Sequence, residues 1–275
     1  MEFLRLPVKG APVSSSDWPR VDYHSHICAV ALETMLVNAR AAGLSEYGVS
    51  EHVFQLDEGH LVLPEEQDEG MRFPRAWYAQ TVREAATGSA DLDIKLGLEV
   101  DYVPERHKRV MAVTDGVEWD YLIGSVHAVD TADIFSRVGP GAEAGERLWR
   151  RYYELIAEAI ETGDFDVISH PVRYAISNPH LPAEFEQLLD EVAAFARLHG
   201  VALELNGDDV ARTPQLVECL ARACGRAGCA VSLGSDAHRA PEVAQGLRQA
   251  TAYAAAAHVP GVVSFQRRDR RVIPL

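Results

Sequence analysis

Lysine is scarce in this chain. Of 26 basic residues only Lys9, Lys95 and Lys108 are lysines, so positive charge rests almost wholly on arginine. Acids outnumber bases 41 to 26, a formal charge of −15, which excludes the clustered basic surface that nucleic acid requires. The four cysteines (Cys28, Cys219, Cys224, Cys229) form neither a C-x-x-C pair nor a dense framework. Reduced thiols and a cytoplasmic protein are the expectation. No run approaches the roughly 18 apolar residues of a membrane span, and the N-terminus lacks a basic-then-apolar signal pattern, so a soluble chain is expected. Linkers, internal repeats and low-complexity tracts are also missing. With 275 residues and 47% hydrophobic content, one domain over 1–275 is expected, with residues 1–20 as a polar lead-in.

What is present in abundance is histidine at the ends of apolar runs. Val21-Asp-Tyr-His-Ser-His-Ile27 reads as a buried strand. Alternation puts His24 and His26 on one face, about 7 Å apart, a spacing at which two neutral imidazoles can share one divalent ion. The pattern then recurs. Strands are expected at 47–52, 94–102, 121–129, 165–171, 201–206 and 230–238, and the runs carry His52, Glu99, His127, His170, Asp236 and His238 near their C-terminal ends. Helical spacing alternates with them at 32–42, 74–86, 104–113, 146–161, 183–198, 214–227 and 241–257. Long loops are expected at 53–73 and 130–145, and a short tail closes the chain.

Seven β-then-α units predict a mostly parallel α/β sheet wound by right-handed crossovers and closed, or nearly closed, into a TIM-like (β/α)7 barrel. In such a barrel the C-terminal strand ends meet in one pocket. One strand-end histidine is ordinarily a hydrogen-bonded structural residue; the same placement at strand after strand is not produced by accident. Six imidazoles and two carboxylates exceed what one tetrahedral ion can use, so two or three ions with a bridging carboxylate are expected. Asp22, two residues before His24 on the same face, is expected to orient an imidazole by accepting its N–H. Arg173 and Arg212 fall in strand-to-helix loops, where the planar guanidinium suits phosphate oxygens. The lysine-dependent binuclear amidohydrolase design is disfavoured, because Lys95 stands at the start of its strand.

These residues also resemble a known family. Asp22-x-His24-x-His26, Glu51-His52, Gly97-Leu-Glu-Val-Asp101, Gly124-Ser-Val-His127, Ser169-His170-Pro171 and Ser235-Asp-Ala-His238 resemble the motifs of the PHP (polymerase and histidinol phosphatase) superfamily. Within it, Arg151-Tyr-Tyr-Glu-Leu-Ile and Gly163-Asp-Phe-Asp-Val-Ile-Ser-His170 are similar to the histidinol-phosphate phosphatases. The resemblance implies a distorted seven-stranded barrel, divalent Zn, Mn or Fe, and hydrolysis of a phosphate ester. It implies that His24, His26, Glu99 and Asp236 hold one ion. Glu99 then bridges to a second on His127 and His170, and His52 and His238 belong to a third. The chain departs from the pattern at 27–32, where an acid or histidine usually completes that third set; Cys28 and Glu33 are the nearest substitutes. Two firmly held ions are therefore expected, with the third in question.

The expected reaction is hydrolysis of a small phosphomonoester, best matched to histidinol phosphate. A hydroxide shared by two ions would attack phosphorus, with Glu99, Asp236 and His238 as catalytic residues and His238 or a water protonating the leaving alkoxide. A PHP-type phosphoesterase acting on another small phosphate or nucleotide is the runner-up. A metal-bearing module without turnover is the reading of a different class.

Overall fold

Strands end early in this protein wherever a chemically active side chain follows. The computed structural model describes residues 18–63, 70–130, 132–137, 139 and 141–275. Most of the expected lead-in and part of the 53–73 loop lie outside the described residues. In chain order the elements begin with β1 (Val21–Asp22), α1 (Leu32–Ala41), β2 (Glu46–Val49), α2 (Asp57–His60), α3 (Arg75–Gly88) and β3 (Asp93–Asp101). They continue with α4 (His107–Met111), β4 (Tyr121–Ser125), β5 (Ala128–Val129), β6 (Ala132–Asp133), α5 (Ala142–Glu161) and β7 (Val167–Ile168). The last group is α6 (Phe185–His199), β8 (Ala202–Asn206), α7 (Gly207–Arg212), α8 (Pro214–Ala227), β9 (Val231–Gly234), α9 (Leu247–Ala256), β10 (Val262–Gln266) and β11 (Asp269–Ile273).

The nine-stranded sheet runs β1-β2-β3-β4-β7-β8-β9-β10-β11 and is parallel until the final β10–β11 pair. Its central strands β3, β4, β8 and β9 are buried on both faces, as a helix-covered parallel sheet demands. β9 has two neighbours on its far side. Val231 pairs with Val262 of β10, while farther along Tyr23 N donates to Leu233 O at 2.9 Å. Asp236 N donates to His24 O at 2.8 Å, and Ser25 bridges Ala237 in parallel. The segments that carry His24 and His26 and that carry Asp236 and His238 are thus hydrogen-bonded to each other.

Helix α5 shows why the outer layer stays in place. Trp149, Tyr152, Tyr153, Ile156 and Ile160 recur at helical spacing and are buried, and Trp149 Nε1 donates to Asn178 O at 3.1 Å. Burying each such side chain stabilises the fold by roughly 1.5–3 kcal/mol before entropy is counted.

Three expectations are corrected. The short tail expected after the last helix contains two strands, the β10–β11 hairpin over 262–273. The helix expected over 241–257 is broken into a 3-10 turn, Ala240–Glu242, and α9, because Gly246 takes φ +69° between them. An unexpected helix, α7, starts where Asn206 Oδ1 accepts from the amides of Asp208 and Asp209. Among the described residues, no helix is long and apolar enough to cross a membrane.

Candidate metal centre

Seven of the eight ligand candidates sit just past the point where their strand ends, and Glu99 lies in β3 two residues before its end. His24 and His26 follow β1, and His52 follows β2 and bridges Glu99 of β3. His127 follows β4, His170 follows β7, and Asp236 and His238 follow β9. His170 and Asp236 leave their strands with positive φ, +29° and +58°, which turns both side chains inward. All eight residues expected from the sequence converge.

Glu99 lies at the middle. Its Oε2 is 3.3 Å from His24 Nε2, 3.7 Å from His26 Nε2 and 2.6 Å from His52 Nδ1. Its Oε1 is 3.4 Å from His127 Nε2 and 3.3 Å from His170 Nε2. Asp236 Oδ1 is 3.2 Å from His26 Nε2 and 3.6 Å from His24 Nε2. Three sets therefore have ligand atoms mutually within 4.8 Å: His24, His26 and Asp236; Glu99, His127 and His170; and His26, His52 and His238.

Three carboxylates aim the imidazoles. Glu204 Oε1 meets His24 Nδ1 at 2.8 Å, Glu51 Oε1 meets His26 Nδ1 at 3.3 Å, and Asp101 Oδ1 meets His127 Nδ1 at 2.7 Å. Each leaves Nε2 facing the centre. Glu204 reaches His24 only because Gly234 lacks a side chain; a Cβ there would collide with both. Asp22 does not have the role expected of it. Its oxygens accept from the backbone amides of Ser235 at 2.8 Å and Ala244 at 3.0 Å, since three amides from two chain segments surround it, and burial raises its pKa to about 6. Glu204 was the signal to find: an acid two residues before Asn206 in an otherwise apolar strand.

Burial opposes charge on His24, but Glu204, Glu99 and Asp236 outweigh it and hold its pKa well above the imidazole range. Burial likewise opposes ionisation of Glu99, which His24, His52 and His127 reverse, so it stays well below the usual carboxylate range. His238 goes the other way: burial and the nearby His26 lower it to about 4. His24 Nε2 and Glu99 Oε2 face one another fully buried, with no hydrogen-bond partner among the described residues. Buried polar atoms left this way are costly unless something binds them. A divalent cation fits, because the donors are imidazole nitrogen and carboxylate oxygen only.

The centre opens into a cavity of about 250 Å³, whose wall also includes Phe54, Asp133, Phe135 and Arg173. A larger hollow of about 700 Å³ lies beside the start of β4, around Lys108, Trp119 and Asp164, and contains none of the ligand candidates. Arg173 is buried. Its Nη2 donates to Asp236 Oδ2 at 2.8 Å and Asn206 Oδ1 at 2.9 Å, and its Nε to Asp209 Oδ1. Arg212 is a correction: it ends α7, is 56% exposed, and pairs with Asp208 at 2.7 Å outside the cavity wall. Helix α7 turns its loop into nearly two helical turns and carries it away. Cys28 is buried against Gly70, and neither it nor the exposed Glu33 joins a ligand set among the described residues.

Residues 21–208 match the PHP domain. The chain belongs to the PHP family. A curated PHP relative, the probable histidinol-phosphatase of Deinococcus radiodurans, is 32% identical over 264 residues, covering 89% of this chain and 95% of that one. A probable phosphatase of Clostridium acetobutylicum is 23% identical over 235 residues, 79% of this chain and 78% of its own. Among solved structures, the PHP chain is similar to histidinol phosphate phosphatase from Lactococcus lactis, complexed with Zn, L-histidinol and phosphate. The TM-score is 0.75 at 19% identity, covering 92% of this chain and 99% of the other, a likeness of fold.

Proposed function

We propose that this PHP protein is a metal-dependent histidinol-phosphate phosphatase, a single cytoplasmic domain closed as a distorted seven-stranded barrel. The hydrogen bonds between residues 23–26 and 233–237 support closure. The observation that carries the function is Glu99: its two oxygens face two separate ligand sets, next to a buried arginine in a small cavity. Zinc, manganese or iron suits these donors. His24, His26, Asp236 and Glu99 would hold one ion, and Glu99, His127 and His170 a second. His26 turns a single nitrogen, Nε2, to the centre. The set with His52 and His238 therefore competes with the first, and a third ion is held weakly.

Ions bound there supply concentrated positive charge and acidify water toward neutral pH. The chain does the rest. Glu51, Asp101 and Glu204 keep the Nδ1 protons of their imidazoles, so the Nε2 lone pairs stay aimed inward. Asp236 divides its oxygens, Oδ1 toward the imidazoles and Oδ2 toward Arg173. Arg173, fixed through Nε and Nη2, has Nη1 free of bonds to the described residues and offers it to a phosphate oxygen.

Purified protein supplied with zinc or manganese should hydrolyse L-histidinol phosphate with kcat/KM at least about 100-fold above bis(p-nitrophenyl) phosphate, the gap of about 2.7 kcal/mol that one well-placed donor is worth. A preference for the diester would overturn the reading. The two arginines should also separate. Arg173→Ala removes a buried charge from three oxygen partners and should cost about 100-fold or more in kcat/KM. Arg212→Ala should stay within about twofold, as a surface pair does.

A further inference from the structure

The hairpin after His127 supplies no ligand, yet it closes one side of the cavity. β5 and β6 bring the chain back over the centre, and Ile134 N donates to His127 O at 2.8 Å. Ser177 Oγ donates to Ile134 O, and Ile134 itself is buried. With Ile134 anchored inward, its two neighbours Asp133 and Phe135 both reach the cavity wall. Asp133 Oδ1 accepts from Phe135 N at 2.7 Å, which ties the pair together. No cation pairs with Asp133 among the described residues, although it is exposed at the wall of the cavity.

The surroundings give the pair a direction. Arg173 and the ligand candidates line the same cavity, and with cations bound they would accept an anion. Asp133 repels one, so a phosphate ester is expected to enter with its phosphate away from the hairpin and its alcohol part toward it. Phe135, 53% exposed, lines the cavity with its ring centroid 6.1 Å from that of His127, and Phe54 stacks on His52 with centroids 4.6 Å apart. An acid that shares a cavity wall with aromatic rings suits a cationic nitrogen next to a flat ring. We propose that Asp133 and Phe135 select phosphomonoesters whose alcohol carries a cationic amine beside an aromatic ring. Asp133 is the counter-charge and Phe135 the stacking face. The inference rests on the phosphatase reading and adds to it the residues that choose the leaving group.

The test uses the full chain, zinc-loaded, with L-histidinol phosphate and p-nitrophenyl phosphate, which has the ring but no amine. Asp133→Asn keeps an oxygen for the Phe135 amide and removes only the charge. The ratio of the two kcat/KM values should fall about 10-fold in this variant, mostly through KM for L-histidinol phosphate. The dissociation constant of L-histidinol, measured by calorimetry without turnover, should rise about as much, and Phe135→Ala should raise it again. An unchanged ratio and an unchanged dissociation constant in Asp133→Asn would overturn the inference while an active wild type keeps the phosphatase reading. A wild type that hydrolyses no monoester defeats the phosphatase reading instead, and the L-histidinol titration then decides the role of Asp133 by itself.

Discussion

Glu99→Gln should lower kcat/KM at least about 100-fold and leave less metal bound than wild type after gel filtration. Replacing a partner outside the ligand shell already costs about 10–100-fold in affinity or activity. Glu99 is placed more centrally than any such partner. One oxygen faces His24, His26 and His52 and the other faces His127 and His170, so the amide removes a charge from both sets at once. Its approach is held by Ser125 Oγ, 2.6 Å from Oε1. Glutamine is close in shape, so the fold should survive, and circular dichroism checks that. Near-normal turnover with full metal content would remove Glu99 from the bridging position.

Chelation should lower the melting temperature by about 10 °C, with recovery on adding zinc or manganese. A ligand at about 1,000 times its dissociation constant stabilises a protein by about 4 kcal/mol. For a chain of this size each kcal/mol shifts the midpoint by roughly 2–4 °C. The sign follows from the centre, where buried atoms such as His24 Nε2 and Glu99 Oε2 have no hydrogen-bond partner among the described residues until a cation binds. Differential scanning fluorimetry with and without chelator measures it, and no difference would mean that the sets do not hold metal. After dialysis two ions should remain per chain, and also in Cys28→Ala, because Cys28 packs on Gly70 outside the ligand sets. Three retained ions in wild type falling to two in the variant would reverse that assignment.

The hairpin at the end of the chain shows one limit of reading sequence. A two-residue hairpin turn of type I′ needs positive φ at both positions and usually announces itself with Asn-Gly. Here Arg267 and Arg268 adopt φ +51° and +67°. Asp120 makes this possible, its Oδ1 accepting from Arg267 N at 3.0 Å and its backbone oxygen from Arg268 N at 2.9 Å. Nothing local to Arg267-Arg268 reports a partner that far away in the chain.

The ligand candidates were legible for the opposite reason. A strand alternates with period two and a parallel α/β sheet gathers its C-terminal strand ends, so His24, His26, His52, Glu99, His127, His170, Asp236 and His238 could be named from spacing alone. Those rules are local or topological and need no coordinates. Which carboxylate orients which imidazole is neither. His24 had Asp22 two residues away, yet its Nδ1 went to Glu204, 180 residues on, because Gly234 leaves room for that carboxylate. Arg173 and Arg212 carried the same linear signal, and tertiary structure separated them: one is buried against Asp209, Asn206 and Asp236, the other is carried outward by α7. The sequence by itself determined the succession of parallel strands, the ligand candidates and their convergence, since backbone periodicity and α/β topology decide them. Tertiary structure decided the orienting partners, which arginine lines the cavity and the contacts between the first and last strand ends, because side-chain distances between remote segments exist only after packing.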